Sequence, residues 1–180
     1  MRKTLLVATA SLGLLGGLAL PATAATTGDT TTTFSLTAGG LNLSAPASAA
    51  LGAGAIGANV SAPLGSVTVS DARGALVAAW TATAVATNFT TGGATAAETV
   101  DKTLVDYWSG LSTASTGTAV ATPGQILAAN AVAMNAGKTA YSLTAGVGNN
   151  STTWAPTLVV KVPSTAVAGS YSGTITHSVA

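Results

Sequence analysis

His177 is the only histidine in this chain of 180 residues, and so the only side chain whose ordinary pKa suits proton transfer near neutrality. One histidine excludes multi-histidine metal sites and leaves a single base for any serine triad. Ser178 adjoins it, but successive residues of a strand project to opposite faces, so Ser178 cannot be its nucleophile. A distant serine with Asp71 would have to complete the set, and no spacing in the chain suggests one. A sheet histidine hydrogen-bonded to a neighbouring carbonyl is the plainer reading. Glu98, Asp101 and Asp106 form the one acidic cluster. A carboxylate pair can hydrolyse glycosides or hold calcium, but this spacing matches no calcium loop, and a solvated loop accounts for it. The glycine-rich run Gly52-Ala53-Gly54-Ala55-Ile56-Gly57 lacks the Lys-Ser/Thr of a phosphate loop. There is no cysteine, hence no disulfide or thiolate site. No catalytic residue, cofactor or metal is expected, and the chain does not read as an enzyme.

Aromatic side chains are the remaining candidates. Trp80, Trp108 and Trp154 are three indoles in a chain with few other aromatic residues. Exposed indoles stack on sugar rings, whereas buried ones anchor cores. Trp80 falls mid-strand and is expected in the core. Trp108 and Trp154 fall beside loops and are expected at the surface, where they would touch a glycan or a partner.

These residues sit in a chain that opens with a leader. Arg2-Lys3 precedes an apolar run over residues 4–20, broken by Gly13, Gly16 and Gly17; Pro21 then precedes the small-x-small site Ala22-Thr23-Ala24. The pattern predicts a signal peptide over 1–24, cleaved before Ala25, and a protein that is secreted. No later segment is apolar enough to form a membrane span of its own. The mature chain keeps four cations (Arg73, Lys102, Lys138, Lys161) against five carboxylates, a net charge of −1. So few scattered cations exclude nucleic acid and anionic lipid as partners.

Thr, Val, Gly and Asn dominate the rest, favouring strands and the turns between them. The reading is all-β: an antiparallel β-sandwich of Ig-like or related Greek-key topology, one domain over 25–180. Strand alternation is expected in two pieces over 33–44, around 56–61, over 66–70, over 76–89 with a bend or bulge, and over 157–162. Asp71-Ala72-Arg73-Gly74 reads as a turn, Thr122-Pro123-Gly124-Gln125 as a helix start followed by one helical turn, and 146–153 as a Gly/Asn loop. Ser-Leu-Thr-Ala-Gly occurs at 35–39 and again at 142–146. Tyr171, Gly173, Ile175, His177 and Val179 alternate with hydroxyl residues, so the fold is expected to close on a final strand with no anchor after it.

Taken in order, Val67-Thr68-Val69-Ser70-Asp71-Ala72-Arg73-Gly74, then Trp80-Thr81-Ala82, then the terminal Gly169-Ser170-Tyr171 and Thr174-Ile175-Thr176-His177-Ser178-Val179, the chain resembles the WxL-domain family of Gram-positive surface proteins. The resemblance covers most of residues 25–180. Trp80 and Ala82 stand at the first Trp-x-Leu motif; His177 and Val179 stand at the second. It implies noncovalent association with peptidoglycan or another wall glycan, or with a membrane-anchored WxL-interacting protein, at the cell wall or extracellular surface. Trp80, Ala82, Trp108, Trp154, His177 and Val179 are the residues expected at that contact. The alternative is a self-assembling subunit of a surface layer or fibre.

Overall fold

The computed structural model describes Gly28, residues 30–118 and residues 120–180. The expected leader and its cleavage site lie outside the described residues. Two units are distinguished, Met1–Ser35 and Leu36–Ala180. Of the first, Gly28 and residues 30–35 are described: they form no strand, and Phe34 is exposed.

Strands alone build the second unit. In chain order they are β1 (Leu41–Ser44), β2 (Asn59–Pro63), β3 (Val67–Asp71), β4 (Ala78–Ala86), β5 (Phe89–Thr90), β6 (Thr99–Val100) and β7 (Val105–Trp108). Then follow β8 (Ser112–Thr116), β9 (Thr122–Pro123), β10 (Val132–Ala133), β11 (Lys138–Gly146), β12 (Asn150–Trp154), β13 (Thr157–Lys161) and β14 (Ile175–Val179). Among the described residues there is no α-helix, only three 3-10 turns at Ala96–Glu98, Lys102–Leu104 and Ala128–Asn130. The chain is all-β. Its strands make three four-stranded antiparallel sheets, ordered β1-β3-β12-β8, β10-β7-β13-β2 and β14-β4-β11-β9, with a β5-β6 ribbon; none closes into a barrel.

All three large sheets contribute to one core. β4 shows why the sequence folds this way. Its inward side chains are Ala78, Trp80, Ala82, Ala84 and Ala86, and all are buried. Four of those five are alanine, a shallow surface that leaves room for bulk from elsewhere. Trp154, Tyr107, Tyr141 and Met134 supply it, each essentially inaccessible. Large residues against small ones is how an interior reaches close packing without voids.

Several sequence expectations need correction. Only Leu41–Ser44 of residues 33–44 is a strand; 30–40 is unpaired apart from the backbone bonds of Gly39 and Gly40 to Ala72. The long strand of 76–89 shortens to β4 and the separate β5, and the bulges expected there lie in its partner β11, between Thr139 and Tyr141 and between Leu143 and Gly146. Thr122-Pro123 begins no helix. It is edge strand β9, which tolerates proline because one side of an edge needs no N–H. The expected loop 146–153 holds β12, pairing with β3 and β8. The turn at Asp71–Gly74 is present: Gly74 has φ +62 and Arg73 N–H donates to Asp71 Oδ1.

Candidate functional site

Every inward residue of the last strand, β14, faces a residue of β4. β14 pairs with β4 in the register Ile175 to Ala86, His177 to Ala84 and Val179 to Ala82. Ala180 extends the ladder, exchanging both hydrogen bonds with Thr81 at 3.1 and 2.8 Å. Residues nearly a hundred positions apart, Trp80 and Ala82 on one side and His177 and Val179 on the other, thus lie on adjoining strands. The alternation of antiparallel pairs then fixes the outer edge. Ala180, Ser178 and Thr176 direct their backbone groups at β4, so Ile175, His177 and Val179 direct theirs away from it. Among the described residues no strand pairs with β14 on that side. The backbone groups of His177 and Val179 on that side thus enter no strand ladder, although β1 packs close to β14, and their side chains are half-buried.

Behind this edge is an aromatic cluster. The partner of His177 is a phenol rather than the expected carbonyl: Tyr107 Oη and His177 Nε2 lie 3.1 Å apart and share a hydrogen bond. Trp154 stands edge-on to His177 at 6.4 Å between ring centres and tilted against Tyr141 at 4.7 Å. Burial holds the His177 pKa down at about 4, so the ring is neutral at ordinary pH. Burial pushes Tyr107 up, offset slightly by the nearby Trp154 indole, and pushes Tyr141 up to about 12. Neither phenol is a base. The Tyr141 hydroxyl donates to Gly110 O at 2.8 Å. Trp154, expected at the surface, is completely buried because it ends β12 rather than a loop, and its Nε1 has no well-aligned acceptor. Trp80 is buried, as expected, and its Nε1 donates to Asn150 Oδ1 at 3.0 Å. Trp108 alone of the three indoles keeps part of its surface, on the outer side of β7 beside Thr157.

Among the described residues the Asp and Glu carboxylates are each occupied locally. Asp71 is buried and clamped by Arg73 through Nε and Nη2 at 2.9 and 2.8 Å, and Arg73 also reaches Ala79 O. The Arg73 hydrogen bonds hold the Asp71 pKa below the usual carboxylate range. Glu98 accepts from the backbone and hydroxyl of Thr95, Asp101 from Thr103 N–H, and Asp106 pairs with Lys161 at 2.6 Å. The acidic cluster of the sequence is thus two turn caps and one cross-strand ion pair. Among the described residues no three His, Asp or Glu side chains gather as metal ligands, and no helix is long and apolar enough to cross a membrane.

Two hollows escaped the sequence reading, since no local signal marks them. A cavity of about 170 Å³ is bordered by Leu51, Leu64, Leu158, Ile175 and His177. Beside it opens a groove of about 770 Å³, walled by Val60, Phe89, Val100, Val160, Val162 and Tyr171. In comparison with known proteins, no family model, curated protein or solved structure matches the chain.

Proposed function

We propose that this chain is an exported β-sandwich domain of Ig-like or related Greek-key type, held noncovalently at the cell surface through the outer edge of β14. The observation that carries this reading is the meeting of the two motif positions: Trp80 and Ala82 lie on β4, which pairs with the strand whose His177 and Val179 have a backbone edge that no described strand pairs. An unpaired edge recognises an extended peptide by main-chain hydrogen bonds, so it favours a membrane-anchored protein over the glycan as the direct ligand. His177 then acts through packing, as a neutral ring fixed by Tyr107, rather than as a contact. Trp108, the one indole with part of its surface exposed, is the proposed contact for peptidoglycan, on the outer side of β7.

Sedimentation with purified wall, and capture by an anchored partner's ectodomain, test this together. Thr176→Lys with Ser178→Lys blunts the edge with side chains that are exposed, leaving the inward face intact. Partner capture should be lost in that double variant and kept in Trp108→Ala. Retention of the double variant by both wall and partner at the parent's level would sink the proposal.

A further inference from the structure

The chain leaving β1 lies beside the outer edge of β14 without bonding to it. Cα atoms of β1 and β14 come within 8 Å, closer than the ~10 Å between sheets stacked face to face, and β4 takes the other side of β14. β1 therefore stands at the unpaired edge. Residues 45–49 continue along it and border the cavity of about 170 Å³ together with Ile175 and His177. Among the described residues no backbone–backbone hydrogen bond reaches 45–54. The hold on this segment is apolar and slight. Leu51 alone of 45–54 is half-buried, packed on the core, and Pro46 lies close enough to Gly65 that a Cβ there would meet its ring.

The segment fills its place poorly. Ala45, Ala47 and Ala49 each end at Cβ, and the cavity beside them reaches the fully buried Val67 and Leu158. No charged side chain borders it. An apolar cavity of ~150 Å³ holds a six-carbon ring, so this one has room for a side chain between Leu and Phe in size. The backbone groups that β14 directs away from β4 belong to Ile175, His177 and Val179. Residues opposite one another on paired strands project to the same face. A strand added here thus turns the residue opposite Ile175 or His177 inward, toward the cavity. Its neighbours turn outward, beside the exposed Thr176 and Ser178.

We propose that residues 45–49 are a placeholder on the β14 edge, and that the partner's extended segment displaces them and seats one uncharged apolar side chain, of Leu to Phe size, in the cavity. This rests on the β14 edge being the surface of attachment. Main-chain hydrogen bonds along the edge supply an attraction the placeholder does not use, and a pocket for one alternate side chain supplies choice among partners. Displacement breaks no backbone hydrogen bond, since among the described residues 45–54 makes none. A charged residue at the seated position is rejected, because it would lose its water with no opposite charge in the lining to pair it.

The probe is a fluorescein-labelled heptapeptide, Ser-Thr-Ser-Leu-Ser-Thr-Ser, read by anisotropy against the mature full chain beside forms with Ala or Lys in place of Leu. The Leu form should bind at least roughly tenfold more tightly than either, as burying that side chain implies. Full-chain Ala45→Leu, Ala47→Leu and Ala49→Leu carry the missing bulk on the placeholder itself. At least one should unfold at higher urea than the parent and bind the Leu form at least roughly tenfold more weakly. Equal binding of the three peptides, lost together in Thr176→Lys with Ser178→Lys, would overturn the pocket and leave the edge standing. Binding of the Leu form undiminished by that double variant would overturn both, as would no binding by any form. Three Leu variants that melt and bind as the parent does would overturn the placeholder.

Discussion

Two tryptophans of equal burial make different demands on the core, and the difference is one hydrogen bond. Trp80 Nε1 donates to Asn150 Oδ1, whereas Trp154 Nε1 has no aligned acceptor. Replacing either by Phe removes similar volume, but Trp80→Phe also leaves a buried amide oxygen unsatisfied, at ~1–3 kcal/mol, while Trp154→Phe removes an unsatisfied donor. Denaturant melts should therefore rank Trp80→Phe as the more destabilising by about 1–2 kcal/mol; the reverse order would show that Trp154 finds an acceptor in solution. His177 supplies a second residue-level test. Its folded pKa, about 4, lies below the unfolded value of 6.5. The unfolded chain thus binds the proton first, and stability is complete above pH ~6.5 and falls as the pH drops toward 4. The partly exposed ring limits the loss to at most ~3 kcal/mol. Melts between pH 6.5 and 4.5 should show this decline in the parent and a flat profile in His177→Gln. Below that window Asp71 adds its own loss, since its pKa is lowered in the fold and protonation releases Arg73.

At the scale of elements, legibility followed alternation. β3, β13 and β14 place Val, Ile or Leu at their alternate inward positions, with Asp71 and His177 the exceptions, and each was readable. β8, Ser112–Thr116, is exposed at every residue, so it carries no inward face and no period; it exists because Thr116 and Ser115 pair with Ser151 and Thr152 of β12. β12 was hidden for the same reason, with Asn150 and Thr152 filling inward positions that usually hold apolar residues. Misreading it as loop sent Trp154 to the surface. The candidate edge was less legible still. That β14 is a strand shows in its own residues, but that it borders β4 is a long-range pairing no local pattern encodes. Gly124 illustrates a constraint visible only in the assembled sheet. Its N–H donates to Ala140 O, and a Cβ there would collide with the Thr139 carbonyl. Gly124→Ala should push β9 off β11 and destabilise by ~1–3 kcal/mol, with faster hydrogen exchange at Tyr141 and Ser142, which pair with β9. An unchanged melt would mean the β9 contact is dispensable.

For the whole molecule, what matters most is how little charge is left to interact. Of the four cations among the described residues, Arg73 is held by Asp71 and Lys161 by Asp106. Among the described residues Lys102 and Lys138 make no ion pair, and two such cations are too few to set up a field over the surface. The outer faces are instead hydroxyl-rich, as in the cross-strand pairs Thr83–Ser178, Thr68–Thr153 and Thr116–Ser151 at 2.8, 2.9 and 2.7 Å. Attachment to a wall by charge, for example to anionic polymers, would weaken steeply with salt, as screening acts over ~8 Å at physiological ionic strength. Attachment through main-chain hydrogen bonds and apolar contact would not, and apolar contact strengthens in sulfate. Washing loaded walls or partner-coated beads with rising sodium chloride should leave retention unchanged to about 1 M, at which the screening length is down to ~3 Å. Urea should release the protein, because it solvates peptide and apolar groups alike. Elution by salt alone would instead assign the contact to Lys102 and Lys138 or to the carboxylates, and Lys102→Ala with Lys138→Ala would then abolish it while the β14 edge variant bound normally.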